Sequence, residues 1–369
     1  MQEARTKATR GRGAQSGQVP TRFGLASRET DREWRDHVAM LAEAGEEVPA
    51  KLRTSVTREF PKSILSFNQS PDIFFDRSIN AYRGCEHGCV YCFARPTHAY
   101  HDLSPGLDFE TQLFAKPNAA ALLRETLSRP KYLPKPIAMG TNTDPYQPIE
   151  RDWRITRECL EVLLDARHPV TITTKSDRVL DDLDIITELA KHRLVAVAIS
   201  VTTFDPRLST ILEPRAASPV KRLAAIEKLA NADVPVHCSV APIIPAITDE
   251  FMEDIVARAG DAGAWSAGWI PLRLPHEVAP LFREWLDVHY PDRAGKVMGI
   301  VRSIRDGRDN DPSFFSRLKP QGVWADLFRR RFQIACRRAG LATDSAQSKY
   351  ALDCSQFRKP EIGGQMRLL

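Results

Sequence analysis

The sequence predicts an α/β fold built on a parallel sheet. From about residue 78, short runs rich in β-branched residues alternate with segments of helical periodicity, and six such pairs follow one another. Regular alternation of strands and helices is typical of βα crossovers, which place successive strands parallel. Because ligands of parallel α/β sheets bind at the carboxyl ends of the strands, residues at those ends are candidates for a functional site.

The predicted elements follow in chain order, and the apolar periodicity supports the helices. Leu160 and Leu163 share one helical face with Leu164, and Leu223 shares another with Ile226 and Leu229. The predicted strands are Ser78–Tyr82, Ile137–Thr141, Val170–Thr174, Val195–Thr202, Val236–Ile243 and Gly268–Leu272. The predicted helices are Asn118–Leu127, Thr156–Ala166, Leu180–Lys191, Val220–Ala230, Asp249–Ala259 and Glu277–Asp287.

Composition indicates a cytoplasmic globular protein. The 369 residues are 43% hydrophobic and 27% charged, and a net charge of +5 is too small to demonstrate nucleic-acid binding. There is no apolar run long enough for a transmembrane helix and no apolar core of a signal peptide, so no membrane partner is expected. The seven cysteines, an odd number, do not form the pattern of a disulfide framework, which favours a reducing compartment.

The two ends of the chain differ from its middle, and we divide it into segments 1–60, 61–299 and 300–369. Residues 1–28 carry six basic residues against one acid and have few apolar groups, so we expect a loosely ordered extension. This extension is either a solvated tail or a basic arm that contacts phosphates. A helix is predicted near residues 34–44, before a polar linker.

The last segment is predicted to contain an amphipathic helix that closes the open side of the sheet. Its apolar face is expected to include Trp324, Leu327, Phe328 and Phe332. Its arginines either form a solvated face or contact phosphates. They are Arg329, Arg330, Arg331, Arg337 and Arg338.

Three cysteines stand close together directly after the first predicted strand. Cys85, Cys89 and Cys92 have the spacing C-x3-C-x2-C. Three thiolates on one loop can bind three irons of a [4Fe–4S] cluster and leave the fourth iron open, whereas a cluster that only transfers electrons normally has four cysteine ligands. A zinc site is the alternative, with His87, His98 or His101 as its fourth ligand.

The cysteine run resembles the cluster motif of the radical S-adenosylmethionine (SAM) enzymes. Tyr91 matches the aromatic residue that usually precedes the third cysteine in that family, where it flanks the adenine. The resemblance implies a [4Fe–4S] cluster whose open iron takes the amino and carboxylate groups of SAM. It also implies a 5′-deoxyadenosyl radical that abstracts hydrogen from a substrate. The fold implied is a partial (β/α)6 TIM-like barrel of the radical SAM type, with N- and C-terminal extensions.

The same resemblance points to residues that hold SAM, although each has a structural alternative. The turn after the second strand matches the position that binds the SAM amino group, but a turn capped by its own side chains also explains it. Lys175 and Ser200 are candidates for the SAM carboxylate, and Lys175 is otherwise a solvated lysine. Arg215 is a candidate for an anionic group, or for a local ion pair with Glu213. The candidates in the turn are Thr141, Asn142, Thr143 and Asp144.

Around the cluster, His98, His101 and Arg95 are candidates for tuning or shielding it through hydrogen bonds, although loop histidines are more often ordinary polar residues. No catalytic residue is assigned from the sequence.

Within the superfamily, the chain resembles the spore-photolyase-related branch. The resemblance rests on the run from Tyr82 to Cys85, the run from Cys89 to Cys92, and the turn from Thr143 to Pro145. Spore photolyase uses a cysteine near the end of its second strand as hydrogen donor, and the matching stretch 140–144 contains none. Photolyase activity is therefore not implied, and the substrate is unidentified, with nucleic acid or a nucleotide-like molecule as one candidate.

These observations favour a radical SAM enzyme that receives electrons from a donor such as flavodoxin or ferredoxin. Two hypotheses of another class remain at this point. A non-catalytic iron–sulfur redox sensor or nucleic-acid-binding protein would use the cluster without cleaving SAM, and a zinc-stabilised barrel would hold no iron. Neither alternative requires Lys175 or the turn 140–144.

Overall fold

A computed structural model describes residues 54–343 and 351–361. The predicted basic stretch 1–28 and the predicted helix near residues 34–44 lie outside the described residues. The strands are β1 (Ser55–Arg58), β2 (Leu65–Phe67), β3 (Arg77–Ile79), β4 (Tyr82–Arg83), β5 (Gln112–Ala115), β6 (Ile137–Met139), β7 (Val170–Thr174), β8 (Val195–Ser200), β9 (Val236–Ile243) and β10 (Ser266–Pro271).

Helices connect most of these strands. The α-helices are α1 (Leu107–Thr111), α2 (Ala119–Ser128), α3 (Glu150–Trp153), α4 (Ile155–Asp165), α5 (Leu183–Lys191), α6 (Pro206–Leu212), α7 (Pro219–Asn231), α8 (Met252–Asp261), α9 (Val278–His289), α10 (Pro291–Ser303) and α11 (Val323–Arg338). Short 3₁₀ helices occupy Arg95–His101, Asp177–Asp182, Asp249–Phe251 and Ser316–Leu318.

The main sheet confirms the predicted α/β fold. Its seven strands have the order β10-β9-β8-β7-β6-β3-β2, and all neighbours are parallel except β2, which runs antiparallel to β3 at the edge. The six parallel strands lie in chain order, as repeated βα crossovers require. This arrangement is the partial (β/α)6 barrel that the resemblance implies.

The core lies between this sheet and its helices. The alternate residues Val195, Val197 and Ile199 of β8 share one face of the strand and are fully buried, whereas Ala196 and Ala198 on the other face are half-buried. On the predicted helical faces, Leu160 and Leu163 of α4 are fully buried, as are Ile226 and Leu229 of α7. Leu164 and Leu223, at the margins of those faces, are only partly buried.

A small second sheet holds the start of the cysteine loop. Its order is β1-β5-β4, with β1 parallel and β4 antiparallel to β5. Strand β4 ends at Arg83, directly before the loop, so the sheet anchors the loop at its first end. Strand β1 belongs to the segment 1–60, and the division of the chain into three segments stays a prediction.

The predicted C-terminal helix is present as α11 and covers the edge strand β10. Phe328 and Phe332 are buried against Trp269 of β10, and their ring centres lie 6.3 and 6.4 Å from that of Trp269. Trp324 and Leu327, also predicted on the apolar face, are 37% and 43% exposed. After the helix, Ala342 forms a parallel bridge with Ser266. Covering an edge strand in this way prevents pairing with other chains. Helix α10 was not predicted.

Residues 351–361 form a strap across the amino ends of the strands, opposite the cysteine loop. The amide of Asp353 donates to the carbonyl of Arg193 (3.0 Å), and the amide of Arg358 donates to that of Ala166 (2.8 Å). These carbonyls lie in the loops that lead into β8 and β7. The ring of Phe357 packs against Tyr132 and His168. Within the described residues, no helix combines the length and the apolar character that crossing a membrane requires.

Candidate functional site

The cysteine loop lies at the carboxyl ends of the parallel strands. Asn80, just after β3, accepts hydrogen bonds through Oδ1 from the amide of Asn142 (3.0 Å) and from the hydroxyl of Thr141 (3.2 Å). The end of β3 is thereby tied to the turn that follows β6. The loop itself continues from β4, so the cysteines and the predicted SAM-binding turn share one edge of the sheet.

A buried arginine shapes the cysteine loop from within. Arg95 is fully buried, and its guanidinium donates to the carbonyls of Cys89 (2.9 Å), Gly88 (3.2 Å) and Gly106 (2.9 Å). It also forms a buried ion pair with Glu110 at 2.5 Å. Since a guanidinium offers five donors in a fixed plane, one side chain sets the course of several loop carbonyls.

A buried amide clamps the start of the loop. Gln147 is fully buried; its Oε1 accepts from the amide of Glu86 (2.9 Å), and its Nε2 donates to the carbonyl of Gly84 (3.3 Å). Gln147 follows the turn after β6, so this clamp joins the loop to the same turn that Asn80 contacts. The loop is therefore held on both sides by fixed hydrogen bonds.

The three thiols of the loop are free and lie near one another. Cys85 and Cys89 are buried, Cys92 is half-buried, and all seven cysteines of the chain are free. Burial raises the pKa of each of these three thiols above its usual value, and the charge of Asp144, followed by the neighbouring Cys89 and Cys92, raises the pKa of Cys85 further. Thiols in such a setting become thiolates on binding a metal, whose positive charge reverses the cost of ionisation.

The nearby histidines have partners within the protein. His87 is buried with Nδ1 3.3 Å from Oδ2 of Asp144, and His98 has Nε2 2.9 Å from the carbonyl of Gln112. Burial lowers the pKa of His98 to about 4. The ring of His101 lies 5.0 Å from that of Phe114. Each of these contacts engages one ring nitrogen, and within the described residues Nδ1 of His98 and Nε2 of His101 are buried without a hydrogen-bond partner.

The predicted SAM-binding turn is built around Asp144. Its Oδ1 accepts from the amide of Tyr146 (2.9 Å) and the hydroxyl of Thr174 (2.6 Å), and its Oδ2 accepts from the amide of Lys175 (2.7 Å). Burial alone would raise the pKa of Asp144, but His87 and these hydrogen bonds hold it below its usual value. The carboxylate thus joins the turn to the end of β7, as expected of a turn capped by its own side chains.

The other residues of the turn differ in exposure. Asn142 is exposed and Thr141 is half-buried. Thr143 is buried, and its hydroxyl has no hydrogen-bond partner within residues 54–343 and 351–361. Of the four turn residues, Thr143 is therefore the one with buried and unused hydrogen-bonding capacity.

Lys175 lies beside the cysteine loop at the end of β7. Its Nζ is 5.9 Å from the centre of the Tyr91 ring, and it makes no ion pair within the described part of the chain. The hydroxyl of Tyr91 donates to Glu213, which also accepts from Thr202 (2.7 Å). Glu213 forms a buried ion pair with Arg222 at 2.5 Å.

Glu213 stays ionised because of the charges around it. Burial raises the pKa of this carboxyl, but the charges of Arg222 and Lys175 outweigh burial and hold the pKa at about 2. Burial and the neighbouring Glu213 raise the pKa of Tyr91 well above its usual value, so the phenol stays a donor. A protonated phenol and an ionised carboxylate therefore lie near Cys89.

Ser200 and Arg215 occupy the same end of the barrel. Ser200 ends β8, is 4% exposed, and accepts through its carbonyl from Arg222 (3.0 Å). Arg215 does not pair with Glu213: its Nη2 is 2.9 Å from Oε1 of Glu86, and its amide donates to the carbonyl of His87 (3.2 Å). The alternative of a local Glu213–Arg215 pair is thus wrong, and Arg215 lies over the cysteine loop.

Sequence reasoning missed the buried polar residues that support the loop. The sequence around Gln147 and Glu110 does not indicate that these residues are buried and paired. Their partners lie far from them in the chain and not at a helical spacing such as i+3 or i+4. Arg222 does leave a trace, since it falls on the same helical face as Ile226 and Leu229. A charged residue at a core position of a helix indicates a buried partner.

Comparison with known proteins shows the family of the chain. The sequence profile of the Radical SAM superfamily matches residues 79–259. A protein of Mycobacterium tuberculosis, described as uncharacterized, is 37% identical over 230 residues, which cover 62% of this chain and 68% of the relative. Another, from Methanocaldococcus jannaschii, is 28% identical over 215 residues, or 58% of this chain and 76% of the relative.

Among solved structures, spore photoproduct lyase has a similar fold. A single-site mutant of that lyase superposes with a TM-score of 0.57 at 14% identity, covering 84% of this chain and 92% of the lyase. A double mutant of the lyase, solved with bound AdoMet and dinucleoside spore photoproduct, has a TM-score of 0.56, also at 14% identity. These structures share the fold with this chain.

The chain belongs to the radical SAM superfamily. It is a radical SAM enzyme, with a [4Fe–4S] cluster and S-adenosylmethionine as its cofactors. Its fold agrees with the resemblance to the spore-photolyase-related branch.

Proposed function

We propose that Cys85, Cys89 and Cys92 are the three protein ligands of the [4Fe–4S] cluster, and that the adjoining strand ends hold SAM. The observation that carries the proposal is the position of the cysteine loop at the carboxyl edge, beside Lys175, which has no ion pair within the described residues. When bound, the cluster supplies the electron that cleaves SAM to a 5′-deoxyadenosyl radical, which abstracts hydrogen from the substrate.

Each SAM-binding residue has a role that its position supports. Lys175 offers its ammonium to the SAM carboxylate, and the Tyr91 ring 5.9 Å from it orients the lysine and flanks the adenine side. Ser200 supplies a second group at the end of β8. The unused hydroxyl of Thr143 accepts from the SAM amino group.

Three further residues take supporting roles. Asp144 acts through the turn that it caps, and it places Thr141 and Asn142 at the rim of the site. Arg215 is half-exposed beside Glu86, so it can turn towards an anionic group at the rim. These roles remain compatible with the hydrogen bonds that the same residues make within the protein.

For the substrate, the likeness in fold to a lyase solved with a dinucleoside makes a nucleotide-like molecule or nucleic acid the first class to test. Since the stretch 140–144 contains no cysteine, cleavage of the lyase's own photoproduct is not proposed. A flavodoxin or ferredoxin is proposed as electron donor.

The test begins with anaerobic reconstitution of the full chain with iron and sulfide. After addition of dithionite and SAM, chromatography follows 5′-deoxyadenosine. We expect its formation in the wild-type protein and none in the variants C85A, C89A and C92A, which also lose the iron–sulfur absorbance. C159A, which removes a buried cysteine of α4, is the matched control and keeps its iron.

Other outcomes would support the alternatives. A brown, reducible protein that never forms 5′-deoxyadenosine, even with oligonucleotides present, would favour a redox sensor. Stoichiometric zinc in a colourless protein would favour a zinc site. Unchanged iron content in a variant with Cys85, Cys89 and Cys92 all replaced by alanine would contradict the ligand assignment itself.

A further inference from the structure

Arg273 lies across the site from Lys175, beside the cysteine loop. It stands two residues beyond Pro271, where the last parallel strand β10 ends. Its guanidinium carbon is 5.9 Å from the centre of the Phe93 ring. Phe93 directly follows Cys92 and is 51% exposed. The arginine and the exposed ring therefore lie next to Cys92, one of the proposed cluster ligands.

Arg273 differs from its neighbours because it has no carboxylate partner in the described part of the chain. Within residues 54–343 and 351–361 it makes no ion pair, and its buried Nε has no hydrogen-bond acceptor. Arg317, by contrast, pairs with both carboxylate oxygens of Asp72 at 2.6 and 2.7 Å. Arg305 is buried and donates to the carbonyls of Leu272 and Arg317. Asp72 therefore already has Arg317 as its cationic partner. The groups that accept from Arg305 are neutral carbonyls, so they do not balance its charge.

The local charge is in excess on the positive side. Burial and the charge of Arg317 lower the pKa of Arg273, and the carboxylates of Asp72 and Asp311 oppose this only in part. Burial and the charge of Arg273 lower the pKa of Arg305 to about 10. A half-buried cation without a partner is a cost to the folded protein that a bound anion would remove.

We propose that Arg273 and Phe93 form a subsite for an oxyanion of the substrate, a phosphate or a carboxylate, with a flat part of the same molecule against the exposed Phe93 ring. The planar guanidinium is suited to bidentate contact with either oxyanion. An exposed aromatic face is suited to stacking. The inference rests on the proposed function, because it takes this opening as the place where substrate meets the cluster.

The subsite is distinct from the residues proposed for SAM. Lys175 and Ser200 lie at the ends of β7 and β8, whereas Arg273 follows β10, with β9 between β8 and β10 in the sheet. The substrate is thus expected to lie between the SAM-binding strands and the last strand. Its anionic group would be anchored at the far side of the opening.

The test compares R273Q with R302Q in the reconstituted full chain, using pyrophosphate and citrate as probes. Arg302 is an exposed arginine paired with Asp309 at 2.9 Å and serves as the matched control. We expect at least one probe to bind the wild type and R302Q alike, and to bind R273Q about tenfold more weakly, as loss of a charged hydrogen-bonding group implies. Tighter binding of pyrophosphate indicates a phosphate-bearing substrate, and tighter binding of citrate a carboxylate-bearing one.

Stability separates a binding role from a structural role. Because Arg273 has no carboxylate partner to lose among the described residues, R273Q should melt at the same temperature as the wild type or higher in the absence of probe. A lower melting temperature together with unchanged probe binding would show a structural role. F93L should weaken binding of phenyl phosphate more than binding of pyrophosphate, because only the former has a ring to stack.

Three results would overturn the subsite. These are wild-type protein that binds neither probe, R273Q that binds as tightly as the wild type, and displacement of the probe by SAM, which would assign Arg273 to the SAM site. Formation of 5′-deoxyadenosine without substrate is measured in parallel and should be equal in the control variant R302Q and the wild type. Its absence from the wild type even with oligonucleotides present would count against the proposed function, while the binding data would still report on this subsite.

Discussion

At the scale of single residues, buried charges position the cysteine loop. Two ion pairs, Arg95 with Glu110 and Arg222 with Glu213, are almost completely excluded from water. Such pairs add little net stability, because desolvation offsets their attraction, but removal of one partner leaves a buried charge. Their contribution is therefore to fix where Cys89 and Tyr91 lie.

We predict that R222M destabilises the protein by about 3–5 kcal/mol, because Glu213 would keep its charge in a buried site without its cation. The free energy of unfolding in urea measures the effect. R129M is the control: Arg129 is 60% exposed and pairs with Glu125 one helical turn away, so about 0.5 kcal/mol or less is expected. Equal losses in the two variants would contradict the role assigned to the buried pair.

A second prediction concerns Gly140, at the end of β6. Its φ is +90°, and an added Cβ would lie 2.0 Å from the carbonyl oxygen of Thr173. G140A should therefore unfold at much lower urea than the wild type and lose iron, because the turn that caps β7 must move. G299A, in helix α10 with nothing within 4 Å of the added methyl, should be as stable as the wild type or slightly more stable. A fully stable G140A would show that this turn can relax.

At the scale of elements, the strap 351–361 depends on a neutral histidine. His168 has Nδ1 2.9 Å from the carbonyl of Pro169, to which it donates, and Nε2 2.8 Å from the hydroxyl of Tyr132, from which it accepts. The ring of Phe357 packs edge-on against it. Burial lowers the pKa of His168 to about 4, because a charged imidazole would be desolvated there.

This lowered pKa predicts a loss of stability in acid. The unfolded chain binds a proton near pH 6.5 and the folded protein only near pH 4, so the contribution of His168 is complete above pH 6.5 and falls as the pH decreases. Between pH 7 and pH 5, His168 lowers the free energy of unfolding by about 2 kcal/mol. Urea unfolding of the wild type and H168Q at both values checks this, and the variant should lose less stability on acidification. Equal losses of stability in the wild type and H168Q on acidification would contradict the assignment of this pH dependence to His168.

The elements themselves were largely predictable. The six parallel strands and their helices were predicted to within a few residues, because apolar periodicity in a two-sided parallel sheet is strong. The strap was not predicted, since its main-chain bonds to Arg193 and Ala166 require no particular residue type. Helix α10 was missed because it follows α9 directly, and both share one apolar cluster.

At the scale of the whole molecule, one contact spans the open side of the barrel. Asp72 lies in the turn between β2 and β3, at one edge of the sheet, and Arg317 lies in the segment that follows α10, beyond the other edge. Asp72 accepts from the guanidinium of Arg317 and, through Oδ2, from the amide of Phe315 at 3.1 Å. Contacts of the Asp72 side chain thereby connect the two edges of the sheet.

We predict that D72A opens this connection locally without unfolding the barrel. The amide of Phe315 should exchange its hydrogen faster, together with its neighbours, because it loses its acceptor, while amides of β7 and β8 keep their protection. Hydrogen exchange followed by mass spectrometry measures both regions. D306A, which removes an exposed carboxylate outside this contact, should leave exchange at Phe315 unchanged. Uniformly faster exchange in D72A would show that the contact stabilises the whole fold.

By itself, the sequence determined the class of the protein. The apolar repeats of each strand and helix are local in sequence, so spacing predicted the fold class, and the resemblance of the motif Cys85, Cys89 and Cys92 to a known family implied the cofactors. Tertiary structure alone decided which polar residues meet. Arg222 with Glu213, Gln147 with the loop at Glu86, and Arg273 beside Phe93 depend on the folding of distant segments onto one sheet edge. Such contacts have no sequence period, because burial and electrostatics act between neighbours in space.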